Sequence, residues 1–249
     1  MTHRRTLTAL IRRGCDVLRR EGVGGFLSRL NAFVAFGFSR MVAFRTVYLY
    51  EHEIATRDRE RFLPRLDSWQ LRIMHSNAEA DAVAAEGFED IRDSFVFAHR
   101  SLEAGAVAFC VYCGSELAHV GWVALDAAGK RRIDRLPYHV AFDAHQACTG
   151  GTYTIPKYRG AGLMPYGYYE RFEYLRARGF TSSRNAVSVS NLASQKAHSR
   201  FNPVIRGIGR WRHVLWWNSW REEPLPKTPV GKILRRVVRE EMERAAVAA

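Results

Sequence analysis

The sequence TIPKYRGAGLMP at residues 154–165 is the stretch whose residue types and spacing are best suited to chemistry. A strand is predicted to end at Pro156, a glycine-containing turn follows, and a helix is predicted to begin near Leu163. Successive backbone N–H groups at the start of a helix bind anions, and the two glycines let a pyrophosphate approach closely. Arg159 adds a fixed positive charge. The pattern predicts a phosphate-binding loop, although an ordinary turn that uses glycine for its φ freedom fits it as well.

The same stretch resembles the acyl-CoA-binding motif of the GCN5-related N-acetyltransferase (GNAT) superfamily, in which a V-x-P-x-Y-R-G-x-G segment joins a strand to a helix. The residues of this chain that match the motif are Ile155, Tyr158, Arg159, Gly160 and Gly162. Met164 stands where the family usually has a small residue. Farther along the chain, Asn191 and Ser194 match a second family pattern, and His198 stands at the position of a tyrosine. The resemblance covers residues 68–220.

This resemblance implies an α+β (mixed α/β) fold, with a central, mostly antiparallel sheet of splayed strands flanked by helices. It also implies acetyl-CoA or another acyl-CoA as donor, with its pyrophosphate on the glycine loop and its pantetheine between the splayed strands. The cofactor-binding residues that it assigns are Thr154, Ile155, Arg159, Gly160, Ala161, Gly162, Leu163, Asn191 and Ser194. No metal is expected, because the Cys110-x-x-Cys113 pair lacks a second pair of ligands.

Transfer of an acyl group from a thioester to an amine needs a general acid near the sulfur and a base or a water path near the amine. His198 is the position-matched candidate acid, since histidine titrates near neutral pH; a polar residue on an exposed helix face is the alternative. Asp143 and His145 precede the strand that leads to the loop and are the candidate bases. His119 and His139 lie in predicted strands and are further candidates for proton transfer. For each of them, a purely structural role is the alternative.

Predicted strands and helices alternate in an order that favours a mixed sheet. The predicted strands are 41–50, 69–74, 107–112, 117–125, 138–142, 148–155, 186–189 and two within 204–220. The predicted helices are 1–30, 77–86, 88–103, 163–178 and 191–200. Asn77 and Asn191 are the expected N-caps of two helices, and Gly179 is expected to end another. The Gly114-Ser115 pair predicts a hairpin turn.

The chain has 249 residues and a formal net charge of +13, and an apolar content of 47% excludes a disordered chain. Residues 1–45 carry nine arginines and two acidic residues. No nucleic-acid-binding motif accompanies this charge, so nucleic acid is not an expected partner. The apolar residues within 26–36 fit one face of a helix, which could dock on its own domain or lie on an anionic membrane.

Residues 225–236 resemble the C-terminal lysine motif of acyl-adenylate-forming ligases, with Lys232 at the lysine position. Nothing else of the large core of those ligases fits in this chain, so no adenylating activity is expected. Three interpretations stay open: a coincidence of short motifs, a self-acylation or pseudosubstrate site at Lys232, and a basic helix over 232–244 on a partner or membrane.

Four tryptophans crowd the end of the predicted domain: Trp211, Trp216, Trp217 and Trp220. Their aromatic faces suit packing on the sheet, and they also suit a sugar or lipid platform.

These patterns predict a basic N-terminal extension (1–67), a GNAT-like acyltransferase domain (68–220) and a basic C-terminal tail helix (221–249). The expected acceptor is a small-molecule amine, such as an amino sugar or a surface-glycoconjugate precursor, because the chain resembles GNAT-type proteins of bacterial surface-polysaccharide loci. The alternatives are a protein-lysine acetyltransferase and a non-catalytic, membrane-associated acyl-CoA-binding accessory protein.

The expected location is cytoplasmic, since neither a signal peptide nor an apolar run of about 18–20 residues is present. Peripheral contact of the N-terminal extension with the inner membrane face and formation of a homodimer are left open.

Overall fold

The computed structural model of the chain describes residues 42–225. The helix expected over 1–30 and the Lys232 motif lie outside the described residues. Two compact units contain described residues: the smaller holds 42–45 and 211–219, and the larger holds 46–210 and 220–225. No helix within residues 42–225 is long and apolar enough to cross a membrane.

Eight strands form one sheet in the order β2-β3-β4-β5-β6-β1-β7-β8. They are β1 (Val42–Glu53), β2 (Gln70–Met74), β3 (Val107–Cys113), β4 (Glu116–Ala124), β5 (Gln146–Thr154), β6 (Ser182–Ser188), β7 (Val204–Val214) and β8 (Trp217–Glu223). The β1–β6, β2–β3, β3–β4 and β4–β5 pairs are antiparallel, and β5–β6 is parallel. Together with the helices, this sheet confirms the expected α+β class with a mostly antiparallel sheet.

Six helices occur among residues 42–225: α1 (Asn77–Ala85), α2 (Ile91–Ser94), α3 (Ala98–Glu103), α4 (Ala127–Ile133), α5 (Leu163–Arg176) and α6 (Leu192–Ser199). Helix α5 contributes most to the core, where Phe172 and Leu175 pack with Phe109 of β3 and Val123 of β4. Burying one such side chain stabilises the fold by about 1.5–3 kcal/mol.

The ends of α5 follow the sequence prediction. Gly162 precedes the helix with φ +81°, and Pro165 lies in the first turn. A proline is tolerated there because the first amides of a helix have no intrahelical acceptor. Gly179 has φ +78°, and the amide of Phe180 donates to the Leu175 carbonyl at 3.1 Å, which closes the helix end.

The N-cap expected at Asn77 is wrong. The Ser76 side chain accepts from the Glu79 amide at 3.2 Å, so the cap lies one residue earlier. A serine placed three residues before a glutamate is itself a capping pattern, which explains why Ser76 rather than Asn77 caps the helix. Helix α4 was not predicted, although Asp126 caps it by accepting from the Gly129 amide at 2.7 Å.

The single helix expected over 88–103 is also wrong, because α2 and α3 are separate. Phe95 between them is extended, with φ −131° and ψ 100°. Its ring packs edge-on against Tyr153, and Phe97 packs against Trp122, so aromatic packing overrides the helical pattern.

The strand expected over 138–142 is absent from the described sheet. This segment forms no strand pairing with the described sheet and leads into a 3-10 turn at Phe142–Ala144. Tyr138 and Val140 are buried, and the Tyr138 hydroxyl donates to Asp134 at 2.8 Å. The apolar residues here therefore reflect burial rather than strand pairing.

Strand β1 belongs to the sheet although the sequence places it in the N-terminal extension. Residues Val47–Glu53 pair with Ser182–Ser188 of β6. The sheet thus extends beyond the 68–220 span that the family resemblance covers.

Strands β5 and β6 diverge, as the resemblance implies. They pair only at their beginnings, where Gln146–Cys148 lies beside Ser182–Arg184. On the other side of β5, the ladder with β4 shifts register between Val120 and Trp122. Gly151 has φ +54°, and a Cβ there would lie 2.8 Å from the Trp122 ring. The irregular second half of β5 leaves a gap between its end and β6.

Candidate functional site

A cavity of about 1030 Å³ lies at this gap, entirely within the larger unit. Its walls are the second half of β5 (150–154), the end of β6 (185–188), the glycine loop with the start of α5, helix α6, and part of the connector after β1. The divergence of the two strands therefore creates the cavity, and the loop closes one side of it.

The glycine loop presents backbone donors to this cavity. Gly160 and Gly162 have φ +85° and +81°, a conformation that other residues adopt only with strain. Among the described residues, the amides of Gly162, Leu163 and Met164 have no hydrogen-bond acceptor, whereas the Tyr166 amide already donates to the Gly162 carbonyl. Free amides at the start of a 14-residue helix form an anion site.

Contacts from two directions fix the loop. The Arg65 amide donates to the Ala161 carbonyl at 2.8 Å, which ties the connector to the loop. On the opposite side, the Tyr158 hydroxyl donates to the Glu116 carboxylate at 3.1 Å, and Lys157 forms an ion pair with the same carboxylate. The loop is thereby held against β4 before any ligand binds.

The cavity lining is strongly basic. Its charged residues other than histidine are one acid, Glu60, and five bases: Arg61, Arg65, Arg159, Lys196 and Arg200. Among residues 42–225, no carboxylate pairs with Arg159, whose Nε donates to the Thr154 carbonyl at 3.3 Å. Opposite charges attract more strongly in a concave site than on a flat surface, so the cavity favours an anionic ligand.

Four of these bases were missed by sequence reasoning. Arg61 and Arg65 lie in the connector, and Lys196 and Arg200 lie four residues apart at the end of α6. The four-residue spacing was the available signal, since it places two side chains on one face of a helix.

Strand β5 turns one set of backbone groups towards the gap. The Ile155 amide donates to the Ala118 carbonyl of β4 at 3.0 Å, so it cannot face a ligand. Because successive amides of a strand point in opposite directions, the Thr154 amide faces away from β4 and towards the gap. Thr154 lines the cavity, whereas Ile155 and Ala161 do not.

Asn185 of β6 follows the last paired residues of the β5–β6 ladder, Cys148 and Arg184. Asn185 is 2% exposed and lines the cavity, and its Oδ1 atom is buried without a hydrogen-bond partner among the described residues. Leaving such an acceptor unpaired costs about 1–3 kcal/mol. The gap thus offers the Thr154 amide as a backbone donor, whereas the Asn185 oxygen is buried in the wall of the cavity.

His198 lies in the cavity wall at the end of α6, but it is 1% exposed. Its Nε2 lies 3.2 Å from the Asn185 amide nitrogen, which donates to it, so its Nδ1 carries the proton and donates to His52 Nε2 at 3.1 Å. Its ring stacks on Tyr50 and meets Tyr168 edge-on. In this arrangement both ring nitrogens are occupied by protein partners.

Electrostatics keep this histidine pair neutral. Burial, then the neighbouring His52 and Arg171, hold the pKa of His198 well below its usual value. Burial, followed by the charge of Arg57, lowers the pKa of His52 to about 3. His198 is therefore a neutral imidazole at neutral pH, and it must first take up a proton before it can act as an acid.

The structure does not bring the two candidate bases to the cavity. Asp143 lies in the turn at Phe142–Ala144, and His145 follows it with φ 55°. Both precede β5, and the first β5 residue of the cavity lining, Gly150, lies five residues beyond His145, roughly 16 Å along the strand at about 3.3 Å per residue. The expectation that they act as bases is thus unsupported by their position.

The other histidines have structural contacts. His119 is buried behind the site, and its Nδ1 lies 2.8 Å from the Thr154 hydroxyl. Burial, then the charge of Arg171, lowers the pKa of His119 to about 3. The His139 carbonyl accepts from Arg184 at 2.6 Å, away from the cavity lining.

Six of the other assigned residues line the cavity. Asn191 caps α6 by accepting from the Ser194 amide at 3.0 Å, and both residues line the cavity with Arg159, Gly160, Gly162 and Leu163. Tyr168 of α5 also lines it and was missed, since its ring lies within an ordinary apolar helix face. No cluster of three or more metal-ligating side chains occurs between residues 42 and 225.

Comparisons with known proteins give matches in solved structures only. No family model and no curated protein sequence matches the chain. An acetyltransferase from the GNAT family of Colwellia psychrerythraea matches at 16% identity and TM-score 0.42, over 69% of this chain and 56% of that protein. A Drosophila protein matches at 13% identity and TM-score 0.41, over 76% of this chain and 57% of that protein.

A GCN5-related N-acetyltransferase from Sphaerobacter thermophilus matches at 10% identity and TM-score 0.43, over 82% of this chain and 66% of that protein. In each case the chain spans less than two thirds of the other protein's length.

Proposed function

We propose that this chain is an acyl-CoA-dependent N-acyltransferase of the GNAT type, with acetyl-CoA as its simplest donor. The observation that carries this proposal is that the gap between β5 and β6 and the glycine loop open into one basic cavity. Phosphates and an extended amide-containing arm can thus bind to the same site.

The residues present fit an acyl-CoA molecule. The free amides of Gly162, Leu163 and Met164 suit the pyrophosphate, and Arg159 supplies a counter-charge. The Thr154 amide offers the backbone donor that a pantetheine carbonyl requires. The other four basic residues would attract the remaining phosphate and raise the local concentration of the anion.

In the transfer step, the neutral amine of the acceptor attacks the thioester carbonyl carbon. A new C–N bond forms, the C–S bond breaks, the thiolate takes up a proton, and the amine loses one. His198 and Tyr168 are two proton-carrying side chains of the lining, which also contains Tyr153 and Tyr158. His198 is neutral, so it would first accept the amine proton once Asn185 releases its Nε2.

The acceptor that we propose is an anionic small-molecule amine, such as a phosphate-bearing amino sugar of a glycoconjugate precursor. The excess of five bases over one acid in the lining supports this choice. The same charges disfavour the cationic segments around target lysines in proteins, which makes a protein-lysine acetyltransferase the second candidate. A non-catalytic acyl-CoA-binding accessory protein is the third.

Calorimetric titration with acetyl-CoA, before and after the Arg159→Ala substitution, tests the donor site. We expect a loss of affinity of at least tenfold, since a charged hydrogen-bonding partner contributes about 1.5–3 kcal/mol. The control is Arg132→Ala, which removes the same charge from the exposed end of α4. Equal affinity of the two variants would place the phosphate site elsewhere.

Release of free thiol from acetyl-CoA with a panel of amines then separates the candidates. Amino-sugar phosphates should be acylated faster than lysine peptides of equal concentration. Turnover with peptides alone would favour the second candidate, and binding without any turnover would favour the third. Mass spectrometry of the same samples tests self-acylation at Lys232, and an unmodified Lys232 in active enzyme would contradict it.

A further inference from the structure

The hairpin between β7 and β8 ends in three exposed apolar residues. Leu215 adopts φ 56° in the turn, and Trp216 is 86% exposed. Trp217 is 52% exposed, and Phe44 near the start of β1 is 68% exposed. Tryptophan is usually well buried in proteins, so two adjacent exposed indoles on a turn indicate a surface that meets something other than water.

Positive charge accompanies these apolar side chains. Arg45 and Arg212 are exposed, and the Arg45 guanidinium lies 5.6 Å from the centre of the Trp211 ring. Residues 42–45 and 211–219, which are the described part of the smaller unit, contain no aspartate or glutamate. We call Phe44, Arg45, Arg212, Leu215, Trp216 and Trp217 the hairpin-tip surface.

We propose that the hairpin-tip surface inserts into the headgroup region of an anionic phospholipid membrane. Indole rings prefer the boundary between water and acyl chains, because one edge is apolar and the N–H can reach polar groups. Arg45 and Arg212 of the same unit would gain energy from anionic headgroups. This surface and the acyl-CoA cavity are formed by different residues, so the proposal is independent of the proposed activity.

The size of the surface favours a membrane over a second copy of the chain. Its three aromatic side chains can bury roughly 450–750 Å² together, whereas a stable protein interface buries about 800 Å² on each partner. Like-charged arginines would also meet across a symmetric dimer. An anionic lipid surface satisfies both the indoles and the arginines.

Co-sedimentation of the full chain with vesicles tests the proposal. We expect stronger binding to phosphatidylcholine vesicles that contain phosphatidylglycerol than to phosphatidylcholine alone. Trp216→Ser with Trp217→Ser should weaken this binding at least tenfold. Arg45→Gln with Arg212→Gln should weaken it about twenty-five-fold, because each charge near the surface contributes about fivefold. The matched control is Val96→Ser, which removes an apolar side chain that is 94% exposed in the larger unit.

Two further measurements show whether the variants are folded and whether the tryptophans enter the membrane. Each variant is compared with wild type by thermal melting, so that loss of folding is not read as loss of binding. In the wild-type chain, brominated acyl chains should quench tryptophan fluorescence, and this readout needs no variant. Absence of quenching, or unchanged sedimentation of both folded double variants, would overturn the proposal.

The basic segment at residues 1–45 could also bind lipid. Its contribution to vesicle binding must therefore be separated from that of the hairpin-tip surface. The tip variants are therefore repeated in a chain in which Arg12, Arg13, Arg19 and Arg20 are glutamine. We expect the same fold-loss in that background. If the tryptophan variant instead turns a dimer into a monomer and leaves vesicle binding unchanged, the surface joins two copies and the proposal is wrong.

Discussion

His52 Nε2 lies 3.1 Å from His198 Nδ1, although the two residues are separated by most of the chain. His52 does not line the cavity, so it acts on the site through the side chains it contacts, above all the imidazole of His198. It accepts the Nδ1 proton and thereby fixes which nitrogen of His198 faces Asn185. His52 is in this view a positioning residue.

Replacing His52 with phenylalanine should lower kcat about tenfold and leave the KM for acyl-CoA unchanged, because the His198 tautomer is no longer fixed while the phosphate site is intact. His52→Gln, whose amide can replace one nitrogen, should recover part of the loss. Thr149→Val is the control: it removes a buried hydrogen bond with Ser183 outside the cavity lining, and it should change stability alone. Equal kcat in wild type and His52→Phe would rule out this role.

Acid should destabilise the fold well before its carboxylates titrate. The pKa values of His52 and His119 are about 3 in the folded protein and about 6.5 in the unfolded chain. The unfolded state therefore binds more protons below about pH 6.5, and stability is lost as the pH falls towards 3. Each of these histidines lowers the free energy of unfolding by about 1.4 kcal/mol at about pH 5.5.

Urea unfolding at about pH 7.5 and about pH 5.5 measures this effect, and we expect a fall of about 4 kcal/mol once His198, whose pKa is lowered in the same way, is included. His119→Gln cannot take up a proton and should reduce the fall by about a third. A pH-independent free energy of unfolding over this range would show that these imidazoles are not buried as described.

A matched pair of glycines separates loop geometry from ligand binding. Gly160 and Gly179 have φ +85° and +78°, and a Cβ added at either would meet no atom within 4 Å. Alanine at each position should therefore cost a similar backbone strain of about 1–2 kcal/mol. Only Gly160→Ala should weaken acetyl-CoA binding, because its methyl group enters the space beside the free amides. Titration calorimetry and urea unfolding of both variants provide the two readouts, and equal affinities would argue against a phosphate on this loop.

Arg171 of α5 is fully buried against Gly121 of β4. A Cβ at Gly121 would lie 2.6 Å from Arg171 Cζ, so Gly121→Ala should destabilise the fold by about 1–3 kcal/mol. Combining it with Arg171→Met should recover part of this loss, since the flexible thioether can move away. A double-mutant cycle by urea unfolding measures the coupling, and strict additivity would contradict the contact. Gly150→Ala, whose nearest atom would be 3.8 Å away, is the control.

Local signals in the sequence predicted much of the fold. Gly114 marks the β3–β4 hairpin, Pro165 and Gly179 mark the ends of α5, and Asn191 marks the start of α6. Each of these depends on backbone rules that act within a few residues. The glycine loop was found for the same reason.

Features that depend on distant partners were missed. The pairing of β1 with β6 and the contact between His52 and His198 join residues from opposite ends of the chain, and no local pattern encodes them. Asp143 and His145 were expected near the site because they precede β5. The two ends of an extended strand lie far apart, however, and the glycine loop follows the other end of β5. The neutrality of His198 follows from burial, which single-sequence patterns do not reveal.

The position of β1 has a consequence for shortened versions of the protein. One wall of the cavity, β6, is held on one side by three residues of β5 and on the other by seven residues of β1. A fragment that begins at residue 68 would leave the second edge of β6 with unpaired amides and carbonyls, and such edges recruit other chains. Residues Val47–Glu53 thus protect this edge of β6 from aggregation.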